Sequence, residues 1–277
     1  MIYIRLAGGL GNQLFQIAAA LVVSKATNQF FMPIADALSD YSEPRTPDFM
    51  RLVSCSRLQL DDGVSLNKHL RWLVAKGRAG RILPILGVND WVRHPISIAF
   101  TKRWGGFMDG YFQHGWSEAR FSEVLSELIL KPHESSSIDY PAVDECVVHM
   151  RGRDFRLLPL HNILDSAYFL TAISRARECG WKRFAVVSDD HTYARGIVDC
   201  LVQQIPKLEI RLLPPNHDLL DDFAVLRNSS ARIIGNSSFA WWATALDEKQ
   251  SPTWSPTKFI RGKPRDFFLK WEIQIQV

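Results

Sequence analysis

The chain has 277 residues, 47% of them hydrophobic, and a formal net charge of +4. This composition supports one large or two modest hydrophobic cores and argues against a disordered chain, and the weak positive charge favours a small acidic substrate over nucleic acid. The four cysteines show neither a C-x-x-C pair nor zinc spacing, which predicts reduced thiols in the cytoplasm and no metal knuckle.

The chain begins with a predicted strand, a glycine turn and a helix. Residues 2–6 predict the strand, Gly8, Gly9 and Gly11 predict a tight turn, and residues 14–23 predict an apolar helix. A glycine turn that leads into a helix N-terminus is typical of phosphate-binding loops. The opening segment is therefore a phosphate-binding candidate.

This glycine turn does not complete a nucleotide fingerprint. The dinucleotide pattern G-x-G-x-x-G would need a third glycine where Leu14 stands, and no Gly-Lys-Ser/Thr motif occurs. Asp36, at the end of a second predicted strand over residues 30–36, is nevertheless placed to hold a ribose hydroxyl. An NAD-dependent oxidoreductase therefore stays open as an alternative.

A basic stretch follows in the first half. Residues 68–103 carry eight Lys and Arg residues against the single acid Asp90. Such a stretch predicts peripheral contact with anionic lipid at the inner face of the membrane, or with an acidic glycan, and a solvated helix face is the competing interpretation. No run of eighteen apolar residues occurs, so we expect a cytoplasmic protein without a membrane-spanning helix.

From residue 146 onward, short β-branched runs alternate with helical segments. We predict strands at CVVHM, FAVVS, LEIRLL and ARIIG, each followed by a helix, at residues 166–179, 191–203, 219–227 and 239–246. The alternation predicts a parallel sheet flanked by helices, which binds ligands at the carboxyl ends of its strands. The segments after these strands are all polar: HMRGRD, SDD, PPNHD and GNSS. Residues 131–145, rich in Pro and Ser, predict a linker before this domain.

The strongest chemical feature is the cluster of His149, Arg151, Arg153 and Asp154 at the end of a predicted strand. A guanidinium matches phosphate oxygens bidentately and stays charged at physiological pH, so Arg151 is predicted to neutralise a pyrophosphate without a metal. The chain also has no D-x-D pattern, with which many nucleotide-sugar enzymes hold a metal. A loop salt bridge between Arg151 and Asp154 is the competing interpretation.

A second polar cluster stands where a buried strand gives way to a helix. Asn236, Ser237 and Ser238 occupy this junction, and their amides and hydroxyls predict an oxyanion cradle supported by the helix macrodipole. Plain N-capping by serine is the alternative. Asp222, at the start of the preceding helix, is predicted either to cap that helix or to accept from a base or ribose, and the tryptophan pair after the cradle is expected in the core.

Together these segments resemble the α-1,2-fucosyltransferase family, whose members are inverting enzymes that use GDP-fucose. The resemblance rests on five segments in the family's order: GGLGNQLFQ, DGYFQ, HMRGRD, LHNILDSAYFLTAI and DDFAVLRNSSARIIGNSSFAWWATAL. It implies an α/β fold of two Rossmann-like domains (GT-B) with the donor site in the interdomain cleft. Residues 1–135 would form an acceptor-side domain and residues 136–277 a GDP-sugar-binding domain, with the last residues packing back on the N-terminal domain.

The resemblance also implies a donor site. Its members would be Gly11, Asn12, Gln13, His149, Arg151, Arg153, Asp189, Asp222, Asn236, Ser237 and Ser238. Arg151 would hold the β-phosphate, His149 and Asp222 would lie near the guanosine, and the two serines would donate to the pyrophosphate. In the opening loop, Gly11 would let the backbone approach the donor, and the side-chain amides of Asn12 and Gln13 would contact its sugar or phosphate. No metal and no cofactor beyond GDP-fucose is implied, and the acceptor would be a galactose-terminated oligosaccharide or polysaccharide.

One departure from the family pattern concerns the arginines. The family reads His-x-Arg-Arg-Gly-Asp, whereas here Gly152 follows Arg151 and the second arginine is displaced to Arg153. On a continuing strand this shift turns the second arginine to the other face. Beyond the strand end, a flexible glycine lets it return to the same anion, and both outcomes stay open.

The implied mechanism is a single inverting displacement at the anomeric carbon of GDP-fucose. Asp154 is the predicted general base, with a structural pairing to a neighbouring arginine as the alternative, and a dissociative path would need no such base. A non-catalytic nucleotide- or glycan-binding module that keeps the fold is the alternative from a different class.

Overall fold

The structure is a computed structural model. It describes residues 1–40, 44–60, 106–133, 141–153, 164–215, 218–260 and 262–277, together with the backbone of 87–88. The chain forms two compact units, Met1–Pro132 and His133–Val277. The first unit thus ends at Pro132, where the sequence puts the boundary after residue 135.

The first unit contains a parallel sheet and a buried helix. Its elements are β1 (Ile2–Arg5), α1 (Leu10–Thr27), β2 (Phe31–Ile34), a 3₁₀ helix (Asp36–Asp40), α2 (Phe49–Leu52), β3 (Val53–Ser54), β4 (Gly87–Val88), β5 (Gly106–Met108), α3 (Glu118–Glu127) and β6 (Ile129–Leu130). The strand order of the parallel sheet is β2-β1-β5-β4, and β3 and β6 form a separate antiparallel pair. The two strands predicted near the start of the chain are confirmed.

Helix α1 is longer than the sequence predicts. It begins at Leu10 rather than at Leu14, so Gly11 lies in its first turn and not in the preceding loop. It is buried along most of its length, which explains why residues 17–23 in its middle are apolar on all faces. The turn itself depends on Gly8, whose φ of 76° is in the left-handed region that favours glycine.

The second unit is built on a six-stranded sheet. Its elements are β7 (Glu145–Met150), α4 (Ser166–Glu178), β8 (Arg183–Ser188), α5 (His191–Gln204), β9 (Glu209–Leu212), α6 (Leu219–Asn228), β10 (Arg232–Ile233), α7 (Ser238–Ala245), β11 (Thr253–Pro256), β12 (Lys258–Ile260), β13 (Lys263–Pro264) and β14 (Glu272–Ile275). The strand order is β14-β11-β10-β7-β8-β9, and every pair is parallel. The predicted alternation of strands and helices and the parallel sheet are confirmed.

The core of this unit lies around β7. All six residues of this strand are buried, as is typical of a central strand covered by helices on both faces. Phe169 and Ile173 of α4 pack in the same apolar cluster. Trp241 and Trp242 are 2% and 0% exposed, so the tryptophan pair is part of the core, as predicted.

The last residues of the chain complete this sheet. They add β14 to the sheet edge beside β11, and their packing on the N-terminal domain stays a prediction. The Glu272 carboxylate is fully buried and pairs with Arg265 at 2.8 Å. It also accepts a hydrogen bond from the Trp241 indole at 2.9 Å, which ties this strand to α7.

Candidate active site

The parallel register brings the polar strand ends of the second unit to one edge of the sheet. His149 pairs with Val187 and Met150 with Ser188 at the ends of β7 and β8. On the other side of β7, the Gly235 amide donates to the His149 carbonyl at 3.1 Å. Residues 149–153, 188–190 and 235–238 of the predicted segments therefore lie beside one another, as expected for the carboxyl edge of a parallel sheet.

Arg151 is paired at this edge with the acid that directly follows the neighbouring strand, β8. Its guanidinium lies 2.5 Å from the Asp189 carboxylate, and both side chains are only about one-fifth exposed. The other oxygen of Asp189 accepts a hydrogen bond from the Gly152 amide at 2.9 Å. Asp154, the predicted alternative partner and general base, lies outside the described residues.

Steric crowding requires a glycine at position 152, directly after Arg151. A Cβ at position 152 would lie 2.5 Å from the Cβ of Asp190, and the φ of Gly152 is outside the left-handed region. An arginine here, as in the family pattern, would therefore force Asp190 to move. Arg153 follows with a solvent-exposed side chain. The departure from the family pattern thus has a steric cause within this chain.

His149 is a buried, neutral imidazole. It is 4% exposed, and burial, with a further contribution from the Arg151 charge, lowers its pKa to about 3. Among the described residues, its Nδ1 has no hydrogen-bond partner. A buried polar atom of this kind is a group that a bound ligand would satisfy.

Helix α7 begins next to His149 without a side-chain cap. Ser237 is its N-cap residue, but the side chain makes no capping hydrogen bond, whereas Asp165, Asp190 and Asp218 cap the helices α4, α5 and α6. The alternative of plain serine capping is therefore not seen. Asn236 donates through its amide to the Phe259 carbonyl at 3.1 Å, which fixes the approach to the helix.

The neighbouring helix α6 starts close to the same place. Asp222 lies in its first turn and is partly buried, while the adjacent Asp221 pairs with His133 at 2.7 Å. The next residue, Phe223, contacts Phe239 edge to face at 5.4 Å, and Phe239 in turn lies 6.1 Å from the His149 ring. Aromatic contacts thus connect the starts of α6 and α7 with the imidazole.

In the first unit, the opening loop is fixed by amide side chains. Asn12 accepts a hydrogen bond from Gln113 at 2.7 Å. Gln13 is fully buried, donates to the Gly8 and Thr46 carbonyls at 3.1 and 2.8 Å, and accepts from the Phe49 amide at 3.3 Å. These three hydrogen bonds give Gln13 a structural role in shaping the loop.

Sequence reasoning missed Gln16 as a partner of this loop. It is fully buried, accepts from the Ala7 amide and donates to the Gly110 carbonyl, both at 3.0 Å. It therefore joins the GGLGNQLFQ and DGYFQ segments. A polar residue within an otherwise apolar helical run was the signal that could have shown it.

Two further observations hold for the described part of the chain alone. There, no three His, Cys, Asp or Glu side chains are grouped so that they could share a metal ion. In the same ranges, every helix is too short or too polar to cross a membrane. The basic stretch 68–103, apart from the backbone of residues 87–88, lies outside these ranges.

Three of the known proteins that resemble this chain show what it is similar to. An alpha-1,2-colitosyltransferase from Escherichia coli is 24% identical over 259 residues, which cover 87% of this chain and 86% of that protein. The crystal structure of POFUT1 in complex with GDP superposes with a TM-score of 0.54 at 12% identity, covering 92% of this chain and 97% of that one. The crystal structure of NodZ alpha-1,6-fucosyltransferase from Bradyrhizobium, soaked with GDP-fucose, superposes with a TM-score of 0.50 at 15% identity. The superposition covers 90% of this chain and 96% of that one.

The fold and the family follow from these similarities. At such low identities the solved structures show the fold alone, an α/β arrangement of two Rossmann-like domains of the GT-B type, as predicted. The model of the family described as glycosyl transferase family 11 matches residues 93–271, which is well over half of the sequence. The chain therefore belongs to glycosyl transferase family 11.

Proposed function

We propose that this chain transfers L-fucose from GDP-fucose, with inversion, to O2 of a terminal galactose in a glycan. The observation that carries the proposal is a grouping at one sheet edge of Arg151, the α7 start that the Ser237 side chain does not cap, and His149, whose Nδ1 has no hydrogen-bond partner among the described residues. Family membership supplies the reaction class. The α-1,2 linkage is supported by the name of the colitosyltransferase relative, and the donor by the GDP-fucose-soaked NodZ structure.

The geometry suits a nucleoside diphosphate. A helix N-terminus attracts anions through its unpaired amides and its macrodipole, and Ser237 leaves these amides without a side-chain cap. Arg151 adds a permanent positive charge at the next strand end. The neutral His149 is placed beside both, where it would bond to the nucleoside without adding charge. Asp222, at the start of α6, is the proposed partner of the base or ribose.

In the proposed mechanism, the acceptor hydroxyl attacks the anomeric carbon while the bond to the β-phosphate oxygen breaks. Negative charge grows on the departing GDP, so Arg151 and the α7 start stabilise the transition state more than the ground state. The positive charge of Arg151 takes the part that a metal ion has in other sugar transferases, and we propose that transfer is metal-independent. Asp154 remains the proposed acceptor of the hydroxyl proton.

Colitose is a second candidate for the transferred sugar. The E. coli relative that covers most of this chain is named for that sugar. Colitose is fucose without its 3-hydroxyl, so the same diphosphate contacts would serve both donors. Discrimination would come from a hydrogen bond to the 3-hydroxyl, since a site built for a hydroxyl rejects an analogue that lacks it.

The experiment is a transfer assay in EDTA with GDP-fucose or GDP-colitose as donor and lactose as acceptor. Nuclear magnetic resonance of the product would identify the linkage and the anomeric configuration. We expect an α-1,2-linked product from β-linked GDP-fucose. Activity restored only by manganese, or a retained anomeric configuration, would contradict the mechanism, and nucleotide binding without transfer to any galactoside would favour the binding-module alternative.

Localisation at the membrane is part of the same proposal. We propose that the enzyme works in the cytoplasm and contacts the inner face of the membrane through the basic stretch 68–103, where lipid-linked glycans would be presented. Sedimentation with vesicles that contain anionic lipid tests this contact, and binding equal to that of neutral vesicles would oppose it.

A further inference from the structure

The pairing of β7 with β8 places Arg151 and Asp189 opposite each other. The parallel register runs from Glu145 with Arg183 to Met150 with Ser188. Arg151 and Asp189 are the residues that directly follow this last pair, and their side chains form the 2.5 Å ion pair. The paired strand ends therefore bring the backbones of these two residues close together.

The three residues Ser188, Asp189 and Asp190, which we call the β8 brace, all contact the end of β7. The Ser188 hydroxyl donates to the Met150 carbonyl at 2.8 Å. Asp189 binds both the Arg151 guanidinium and the Gly152 amide. Asp190 occupies the space beside Gly152 and caps α5 through the Tyr193 amide at 2.9 Å.

We propose that Asp189 is a positioning residue that acts on the transfer reaction through Arg151. Arginine has a long side chain with several rotamers, and ordering it costs conformational entropy. Asp189 orders it in advance, because one carboxylate holds both the guanidinium and the backbone amide next to it. The start of α5 follows directly, and its macrodipole stabilises the carboxylate charge.

This inference rests on the proposed role of Arg151 at the donor phosphate, and it predicts a particular kinetic effect. The negative charge of Asp189 opposes tight binding of the ground-state diphosphate, while the fixed guanidinium favours the charge that develops on the leaving group. Losing Asp189 should therefore lower kcat more than it raises KM. A displaced catalytic group of this kind costs on the order of a hundredfold in rate.

The test compares Asp189→Asn with wild type and with a matched control. Asparagine keeps the size of the side chain but removes its charge, and we expect kcat to fall about ten- to a hundredfold while the KM for GDP-fucose changes less than about threefold. Asp144→Asn is the control, because Asp144 accepts from Arg183 at 3.0 Å at the opposite ends of the same two strands. Its kcat should equal that of wild type.

A double variant separates positioning from a direct role. On the Arg151→Ala background, Asp189→Asn should lower kcat no further, because the side chain through which it acts is gone. A further fall in the double variant, or an unchanged kcat in Asp189→Asn alone, would overturn the proposal. If the asparagine variant fails to fold, Asp189→Glu replaces it in the test, because glutamate keeps the charge on a longer side chain. We expect this variant to fold and to lose part of kcat. A wild-type kcat in Asp189→Glu would equally overturn the proposal.

A spectroscopic readout distinguishes this inference from the proposed function. If wild type transfers no sugar, the proposed function fails, but the guanidinium signals of Arg151 in ¹⁵N nuclear magnetic resonance still report on the brace. We expect slow guanidinium rotation in wild type and fast rotation in Asp189→Asn. Equal rotation in the two proteins would show that Asp189 does not order Arg151.

Discussion

Replacement of Gly152 by alanine should destabilise the second unit and slow transfer. The added Cβ would lie 2.5 Å from the Cβ and 2.8 Å from Oδ2 of Asp190, whereas carbon atoms pack at about 3.5–4.0 Å. Rotation of the Asp190 side chain cannot relieve the first of these contacts, because its Cβ is fixed to the backbone at the start of α5. We expect an overpacking cost of about 1–3 kcal/mol.

The assay is thermal unfolding combined with steady-state kinetics. Each kcal/mol should lower Tm by about 2–4 °C for a unit of this size, and kcat should fall because the backbone that carries Arg151 must shift. Gly196→Ala is the matched control, since Gly196 lies in α5 and a Cβ added there would meet no atom within 4 Å. This change should stabilise the protein by about 0.5–1 kcal/mol.

A compensating change tests the cause of the effect. Gly152→Ala combined with Asp190→Gly removes the Cβ contact, so it should recover part of the lost kcat although the α5 cap is lost. If Gly152→Ala unfolds at the wild-type temperature with wild-type kcat, the steric account of this position is refuted.

Three other predictions follow from the same edge of the sheet. The His149 pKa is about 3 in the folded protein and about 6.5 in an unfolded chain. Between these two pH values the unfolded state binds more protons than the folded state, so the free energy of unfolding should fall as the pH drops from about 6.5 to about 3. In urea unfolding, His149→Asn should weaken this fall of the free energy of unfolding with pH, and a fall as steep as that of wild type would contradict the burial argument. Ser237→Ala should weaken GDP binding but change stability by less than about 0.5 kcal/mol, while Asp165→Ala, which removes a real cap, should cost about 1 kcal/mol; a similar loss of stability in both would oppose the ligand role. Arg151→Ala should lower kcat by about 10²–10³-fold with and without EDTA, and near-normal turnover of the folded variant would remove Arg151 from the mechanism.

The second unit was predictable because its pattern is strong. Runs such as CVVHM and FAVVS are β-branched and bounded by polar residues, and each of these two is followed by a helix with a capping aspartate. The parallel order then places the strand ends together without further information. The predicted helix start at Leu14 was wrong because Gly11 was assigned to the turn, whereas the helix begins at Leu10 and Gly11 lies in its first turn.

Contacts that depend on register or on rotamers were not predictable. The sequence contains both Arg151 and Asp189, but only the alignment of β7 with β8 shows that they face each other. The same alignment explains why Gly152 stands opposite Asp190. Likewise, Gln13 has the chemistry of a ligand-binding amide, and only its burial and three hydrogen bonds show its structural role.

The most direct test of the proposed donor is calorimetric titration of wild type and Arg151→Ala in EDTA. The ligands are GDP, GDP-fucose, UDP-galactose and NAD. We predict that wild type binds only the two GDP compounds and that the variant binds GDP at least about tenfold more weakly, in line with the loss of a charge-assisted contact. Binding of NAD, binding of no nucleotide, or equal GDP affinity in the two proteins would contradict the account.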